Sequence, residues 1–252
     1  MIYFVGAGCG AADLITVRGA ALLRQADAII YAGSLVNPAL LDYAQRDCAV
    51  FNSAAMTLDE VISMMERMER SGKTTVRLHT GDPCLYGAIR EQMDRLEALG
   101  IAFEVCPGVS SFCGAAAALK AEYTLPAVSQ SVVITRMAGR TPVPQRERIR
   151  SLAAHRATMV IFLSAGLTED LQAELLAGGY APETPAAIVY RASWPDEKVV
   201  RCTVGTLRRA AVESGVSCHA LITVGDFLGG DYELSKLYDP AFTTAFRQGT
   251  EP

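Results

Sequence analysis

Apolar side chains recur along the chain in two alternating rhythms. Short runs rich in β-branched and aromatic residues, such as IYFV from Ile2 and TTVRLHT from Thr74, are followed by longer stretches whose apolar residues return every three or four positions. In the first half, IYFV, AIIYA, TTVRLHT and IAFEVCP read as strands, with a shorter one at AVFN. Between them TVRGAALLRQA, the region around NPALLDYAQR, LDEVISMMERMERSG and AIREQMDRLEALG read as helices, the last closed by Gly100 near its C-cap. Strands that alternate with helices in this way predict a parallel sheet with crossover helices.

After an Ala-rich helix, SFCGAAAALKA, the periodicity breaks at EYTLPAVSQ around Pro126. It resumes with strands SVVITR, TMVIFL, AAIVYRAS, KVVRCTV and HALITVG, interleaved with helices PQRERIRSLAAH, LTEDLQAELLAGG and VGTLRRAAVESG. The fold class is therefore α/β with two α/β domains, over 1–124 and 125–252, and no internal repeat links them. The tail RQGTEP is expected to fray.

Composition narrows the function. Half of the 252 residues are hydrophobic, enough for a sizeable core, and the formal net charge is -4 with Lys and Arg scattered singly. That balance argues against a nucleic-acid partner and against a polybasic membrane surface, and it requires any anionic substrate to meet a local basic cluster. The apolar runs fall short of the ~20 residues that cross a bilayer, and no charged-then-apolar leader precedes Ile2, so a cytoplasmic protein without a membrane partner is expected. Seven dispersed cysteines without a CxxC pair suggest small buried hydrophobes rather than a disulfide framework. With three widely separated histidines, no metal site is expected.

Three glycine-containing stretches stand out: GAGCG after the first strand, HTGDPCLYG after TTVRLHT, and CPGVSSFCG after IAFEV. All lie at carboxyl ends of strands, the edge of an open parallel sheet where ligands bind. Neither a dinucleotide fingerprint nor a Walker loop fits. The helix after GAGCG starts only beyond ADLIT, Ala32 stands where a ribose-binding acid belongs, and GK[ST] is missing. Turns set by Asp82-Pro83 and Pro107-Gly108 instead favour a site built from main chain. No Ser-His-Asp or Cys-His signature is present, and Cys84 has no adjacent base in the sequence.

The ordered set YFVGAGCGAADLITVRGA, YAGSLVN, HTGDPCLYGAIREQM, PGVSSF, YTLPAVSQ, TRMAGRTPVP, IFLSA and VYRASWPDEKVVR resembles the tetrapyrrole (corrin/porphyrin) methyltransferases, which use S-adenosyl-methionine. YAGSLVN, TRMAGRTPVP and YRASWPDE resemble the branch that methylates carbon 11 of a precorrin-4 or cobalt-precorrin-4 ring in cobalamin biosynthesis. The resemblance implies a homodimer with an active-site cleft between two domains and S-adenosyl-homocysteine as product. It places cofactor contacts on Cys9, Gly81, Asp82, Leu85, Tyr86, Ser110, Ser111, Leu163, Ala192 and Ala220. The family loop usually reads GAGPGDP, whereas here Cys9, Ala11 and Ala12 replace proline, aspartate and proline, which should loosen it. The acid and lysine that uroporphyrinogen-methylating relatives carry are also missing, at Ala32 and within VFNSAA.

A sulfonium methyl is already activated, so the enzyme has only to hold an electron-rich ring carbon in line with the carbon–sulfur bond and exclude water. Asp82 is the candidate catalytic side chain, with an Asx turn before Pro83 as its other reading. The acetate and propionate arms of such a substrate call for arginine. Arg136 and Arg140 are the first candidates and Arg18 a further one, followed by Arg191 and Lys198; Met137 either packs on the macrocycle or lies in its own core. SMMERMER reads as a packing or dimer face, and Trp194 as a possible interface residue. Three readings compete: a sister enzyme for another ring carbon, a ligand-binding homologue without turnover, and a nicotinamide oxidoreductase, which Ala32 disfavours.

Overall fold

A computed structural model describes residues 1–250 and divides them into two compact units. The first comprises Met1–Ala118 together with Arg191–Glu197, and the second Leu119–Tyr190 with the residues from Lys198 onward. The break thus precedes the boundary expected at 124, and Arg191–Glu197, which the sequence pattern assigns to the second domain, packs with the first.

Strands β1 (Ile2–Gly6), β2 (Ala28–Tyr31), β3 (Ala49–Asn52), β4 (Thr75–His79) and β5 (Phe103–Cys106) form a wholly parallel sheet in the order β3-β2-β4-β1-β5. Helices α1 (Val17–Gln25), α2 (Leu58–Arg70), α3 (Arg90–Ala98) and α4 (Ser111–Leu119) accompany it. Successive side chains on a strand point to opposite faces, so the sheet feeds two cores. Val5, Ile29, Val76 and Leu78 pack with Leu23 of α1, while Ile2, Phe4 and Ile30 meet Val61, Ile62 and Met65 of α2 and Leu96 of α3. Each such buried side chain contributes about 1.5–3 kcal/mol of transfer free energy. Met65 is fully buried with Met64 packed beside it, so SMMERMER supplies core packing. α2 begins with a reciprocal Thr57–Glu60 capping box, and beyond α3 Gly100 takes a φ of +67°, the left-handed turn that ends a helix.

One expected helix differs. NPALLDYAQR forms only a 3-10 segment, Pro38–Tyr43, capped by the Asn37 side chain. Leu40 is its only fully buried residue, with Leu41, Tyr43 and Ala44 packed against the same core, and the chain must already be extended at Ala49 to enter β3, which leaves little length for an α-helix.

In the second unit, β6 (Val132–Arg136), β7 (Thr158–Phe162), β8 (Pro185–Tyr190), β9 (Lys198–Thr203) and β10 (Ala220–Val224) form a mixed sheet ordered β6-β7-β10-β8-β9. Only β6 and β7 run parallel; the remaining pairs are antiparallel. Helices α5 (Ile149–Ala153), α6 (Thr168–Ala177) and α7 (Leu207–Ser214) bury Ile149, Leu171, Leu175 and Leu207 against Met159, Ile161, Ile188 and Ile222. The expected frayed tail is instead hydrogen-bonded as far as Thr250, whose amide donates to the Pro240 carbonyl at 2.9 Å; Glu251 and Pro252 lie outside the described residues.

The cysteine expectation holds only in part. Cys9 and Cys106 are buried, Cys48 and Cys202 half-buried, and Cys84, Cys113 and Cys218 exposed, because the last three sit on loops and an outer helix turn rather than in the sheets.

Candidate functional site

The carboxyl ends of β1, β4 and β5 come together in the first unit through their backbones. Gly8 and Gly81 form an isolated bridge, the Gly8 amide donating to the Gly81 carbonyl at 3.2 Å and the Gly81 amide returning to Gly8 at 3.0 Å. A Cβ placed on Gly6 would lie 2.5 Å from the Gly108 Cα and 2.6 Å from the Gly81 oxygen. Three strand ends meet there with no room for a side chain, which explains glycine at 6 and 108. Gly81, at a φ of +60°, faces Ser110 and the Ser111 amide, the start of α4. The rim of this sheet therefore presents main-chain groups, as the glycines imply.

Asp82 sits at the junction. Its Oδ1 accepts the Cys84 amide at 2.8 Å, closing an Asx turn, and its Oδ2 accepts the Gly108 amide at 2.9 Å, joining the loop after β4 to that after β5. Partial burial pushes its carboxyl up, but the hydrogen bonds from Cys84 and Gly108 outweigh this and leave it below the ordinary aspartate value. Both oxygens thus serve the loops, in line with the Asx-turn reading of Asp82, and the carboxylate holds the two strand ends in position. Beside it, the Asp82 carboxylate and partial burial push the exposed Cys84 thiol up, so it stays protonated at neutral pH and is no nucleophile.

The loop after β1 is held by residues that the sequence pattern did not single out. Ser193 Oγ accepts the Ala11 amide at 2.9 Å and lies 3.6 Å from Cys9 Sγ, and Asn37 Nδ2 donates to the Gly10 carbonyl at 3.0 Å. Ser193 is itself held by Glu197, which accepts its amide at 2.6 Å. Cys9 is 8 % exposed, its side chain against Gly114 of α4, where a Cβ would approach within 2.7 Å. Only its main chain is thus offered to a ligand. These braces stand where the prolines of the usual family loop are missing, so the loosening expected from Cys9 and Ala12 is offset. The Asn37-Pro38 dipeptide was the local signal available for Asn37; the serine of YRASWPDE carried none.

Other expected contacts spread over this rim. Tyr86 has a φ of 57° and is 45 % exposed, Leu85 is half-buried, Ser110 is buried and Ser111 half-buried. Ala192 is buried, its carbonyl 2.3 Å from where a Gly10 Cβ would stand. Arg191, at a φ of 44°, pairs with Asp196 at 2.8 Å and lies 4.9 Å over the Trp194 ring. Tyr86, Ala88, Arg191 and Ser193 of this unit take positive φ, a conformation uncommon for non-glycine residues. Arg18 is exposed on the first turn of α1.

In the second unit, Leu163 follows β7 with a φ of 52° and 64 % exposure, a bulky apolar side chain held out to solvent. Ala220 opens β10 opposite Tyr190. Arg140 is exposed. Arg136 donates to the carbonyls of Met137, Thr141 and Pro142 at 3.1, 3.2 and 2.9 Å, so its guanidinium folds the TRMAGRTPVP loop. Met137 is 9 % exposed inside the helix-covered core. That corrects its assignment to substrate and favours the core reading: Met137 follows β6, and its amide is tied to Ser164 at 2.9 Å, which turns the side chain inward.

Among the described residues no group of histidine, cysteine and carboxylate side chains is arranged to hold a metal, and no helix is long and apolar enough to cross a membrane.

A main-chain rim of this kind, on a parallel sheet in a chain that also forms a mixed one, defines a class: the chain belongs to the tetrapyrrole (corrin/porphyrin) methylases, whose family profile matches residues 1–208. Its relatives include the cobalt-precorrin-4 C(11)-methyltransferase of Methanocaldococcus jannaschii, 49 % identical over 98 % of this chain and 96 % of that protein. The precorrin-4 C(11)-methyltransferase of Mycobacterium tuberculosis is 42 % identical over 95 % and 96 %. The crystal structure of a cobalt precorrin-4 methyltransferase, CbiF, superposes with a TM-score of 0.89 at 45 % identity, covering 91 % of this chain and 96 % of that one. A uroporphyrin-III C-methyltransferase from Thermus thermophilus complexed with S-adenosyl homocysteine has a TM-score of 0.76 at 27 % identity, covering 90 % and 98 %.

Proposed function

We propose that this chain transfers the methyl group of S-adenosyl-methionine to carbon 11 of precorrin-4, or of its cobalt-loaded form, in cobalamin biosynthesis. The observation that carries the reading is the convergence of three strand ends on Gly6, Gly81 and Gly108, whose backbones pack too closely for a Cβ on Gly6 or Gly108 and so bring the loops after β1, β4 and β5 to one edge. It joins the full-length similarity to C(11)-methyltransferases from several organisms.

The residues present fit the cofactor. Main-chain groups from Gly8 to Gly10, the Gly81–Tyr86 turn and the Ser110–Ser111 start of α4 would hold it, with Ala192, Leu163 and Ala220 as further contacts. When bound, S-adenosyl-methionine supplies an activated methyl that needs no covalent enzyme intermediate. What the chain then contributes is orientation: Asp82 locks two loops at fixed separation, Ser193 and Asn37 hold the third, and a rigid frame is what near-attack geometry requires. Arg140 and Arg18 meet the carboxylate arms of the substrate. A homodimer in the cytoplasm completes the proposal, and light scattering of the purified chain tests its assembly.

The decisive experiment incubates the protein with S-adenosyl-methionine and precorrin-4, with and without cobalt, and follows the product by mass and NMR. One added methyl at carbon 11 is expected. A methyl on another ring carbon identifies a sister enzyme, and cofactor binding without transfer identifies a non-catalytic homologue; either outcome overturns the proposal.

A further inference from the structure

The first unit holds a second recess that the main-chain rim does not use. A pocket of about 270 Å³ opens among residues from the ends of β2, β3 and β4 and the starts of α2 and α3. Its walls include the apolar Ala32, Leu35, Met56 and Val61, yet Arg77 and His79 of β4 also line it. Both are nearly fully buried, at 7 % and 3 % exposure.

Arg77 donates from Nε to Gln92 Oε1 and from Nη1 to the Ile30 carbonyl, each at 3.1 Å, and Gln92 in turn donates to the Ala88 carbonyl at 2.9 Å. The guanidinium is thereby oriented by neutral acceptors, and among the described residues no carboxylate pairs with it. His79 Nε2 is buried without a hydrogen-bond partner. Buried charges are ordinarily paired and buried polar atoms ordinarily bonded, so a cation lacking a counter-ion beside an orphaned imidazole nitrogen is costly unless a ligand completes both. The acid that lines the pocket, Glu91, is exposed, where solvent screens its charge. Gly87 and Ala88 add the approach to α3, whose N-terminus has no side-chain cap and favours negative charge.

Resting on the reading of tetrapyrrole methylation, we propose that this pocket is a carboxylate subsite, in which Arg77 and His79 receive one acetate or propionate arm of the substrate. Its volume suits such an arm and falls below the ~300 Å³ at which pockets for whole small ligands begin. Arg77 supplies the charge and His79 an Nε2 hydrogen to the carboxylate. Burial holds this imidazole neutral, so the contact does not depend on titration near pH 7. The macrocycle is thereby indexed by its periphery, which is what selecting one ring carbon among several similar ones requires.

The test uses the full-length protein with two probes: propionate alone, followed through the His79 ring signals by NMR, and uroporphyrin, an octacarboxylate porphyrin, followed by fluorescence. Propionate is expected to shift the His79 signals in the wild type and not in Arg77→Met. Uroporphyrin binding is expected to weaken about tenfold or more in Arg77→Met and His79→Leu and to recover in His79→Gln, with S-adenosyl-homocysteine affinity unchanged in all three. Should Arg77→Met fail to fold, the His79→Leu and His79→Gln pair decides. Porphyrin affinity within twofold of wild type in the folded variants, or a wild type whose His79 signals respond to neither probe, overturns the subsite. Anion binding as expected without methyl transfer removes the proposed function and leaves the subsite. Methyl transfer with unchanged KM in the variants removes only the subsite.

Discussion

Asp82 and Gly108, 26 residues apart, are joined by a 2.9 Å hydrogen bond from the Gly108 amide to Oδ2, while the other carboxylate oxygen holds Cys84. The aspartate of the GDP turn is therefore a clamp between two strand ends.

Replacing that clamp separates its role from chemistry. Asp82→Ala leaves the Gly108 and Cys84 amides without these acceptors and is expected to lower stability by about 1–3 kcal/mol. Affinity for S-adenosyl-homocysteine should fall with it, because the rim loses its spacing. Urea unfolding and calorimetry check both; unchanged values in both assays would refute the clamp.

Glycine substitutions should differ sharply by position. In Gly6→Ala the new Cβ meets the backbone of Gly108 and Gly81 at 2.5 and 2.6 Å, and backbone cannot yield as a flexible side chain does. Loss of more than ~4 kcal/mol or failure to fold is expected. Gly72→Ala, at a φ of +68° with nothing within 4 Å of its Cβ, should cost only ~1 kcal/mol. Thermal and urea denaturation of the two variants provide the comparison.

The braces of the first loop act as one device. Ser193→Ala removes the acceptor of the Ala11 amide and Asn37→Ala the donor to Gly10, each worth about 1 kcal/mol. Because they secure the same few residues, the double variant should depart from additivity in cofactor affinity. A double-mutant cycle by calorimetry with S-adenosyl-homocysteine measures it, and strict additivity would refute the shared role.

His79 should set the acid limb of stability. Burial first, and then the Arg77 charge, push its pKa down from 6.5 to about 3. Between those values the unfolded chain binds more protons than the folded one, so stability is present above about pH 6.5 and is lost as pH falls toward 3, by up to ~1.4 kcal/mol per pH unit. Asp82, also depressed, adds the same sign only near and below its ordinary value of 3.8. His79→Gln is expected to flatten the decline between pH 6.5 and 4.5, as read by urea unfolding at several pH values.

Arg140 and Arg136 should part company. Arg140→Ala, exposed, is expected to weaken tetrapyrrole binding and its salt dependence without changing stability. Arg136→Ala frees three carbonyls and should also lower the melting temperature. Binding titrations at two ionic strengths, paired with thermal scans, distinguish them.

Much of the candidate site was already legible along the chain. GAGCG, GDPCLYG and PGVSS follow three strands directly, and parallel strands must deliver their carboxyl ends to one edge. The strands, the long helices and the meeting of those glycine loops all follow from rules that act over a few residues: side-chain period, turn chemistry and caps. What depended on partners distant in sequence was not legible. Ser193 braces a loop 182 residues away, Arg191–Glu197 packs with the first unit, Met137 turns inward, and NPALLDYAQR shortens to a 3-10 turn. Asp82 has the same composition as a catalytic acid and becomes a clamp only because Gly108 lies opposite. His79 and Arg77 look like ordinary strand residues until burial removes water from them. The sequence by itself thus determined the elements and which loops share an edge, since these are local or follow from chain direction. Tertiary structure alone decided which polar atoms are satisfied and which still lack a partner, because desolvation and pairing exist only once distant segments are in contact.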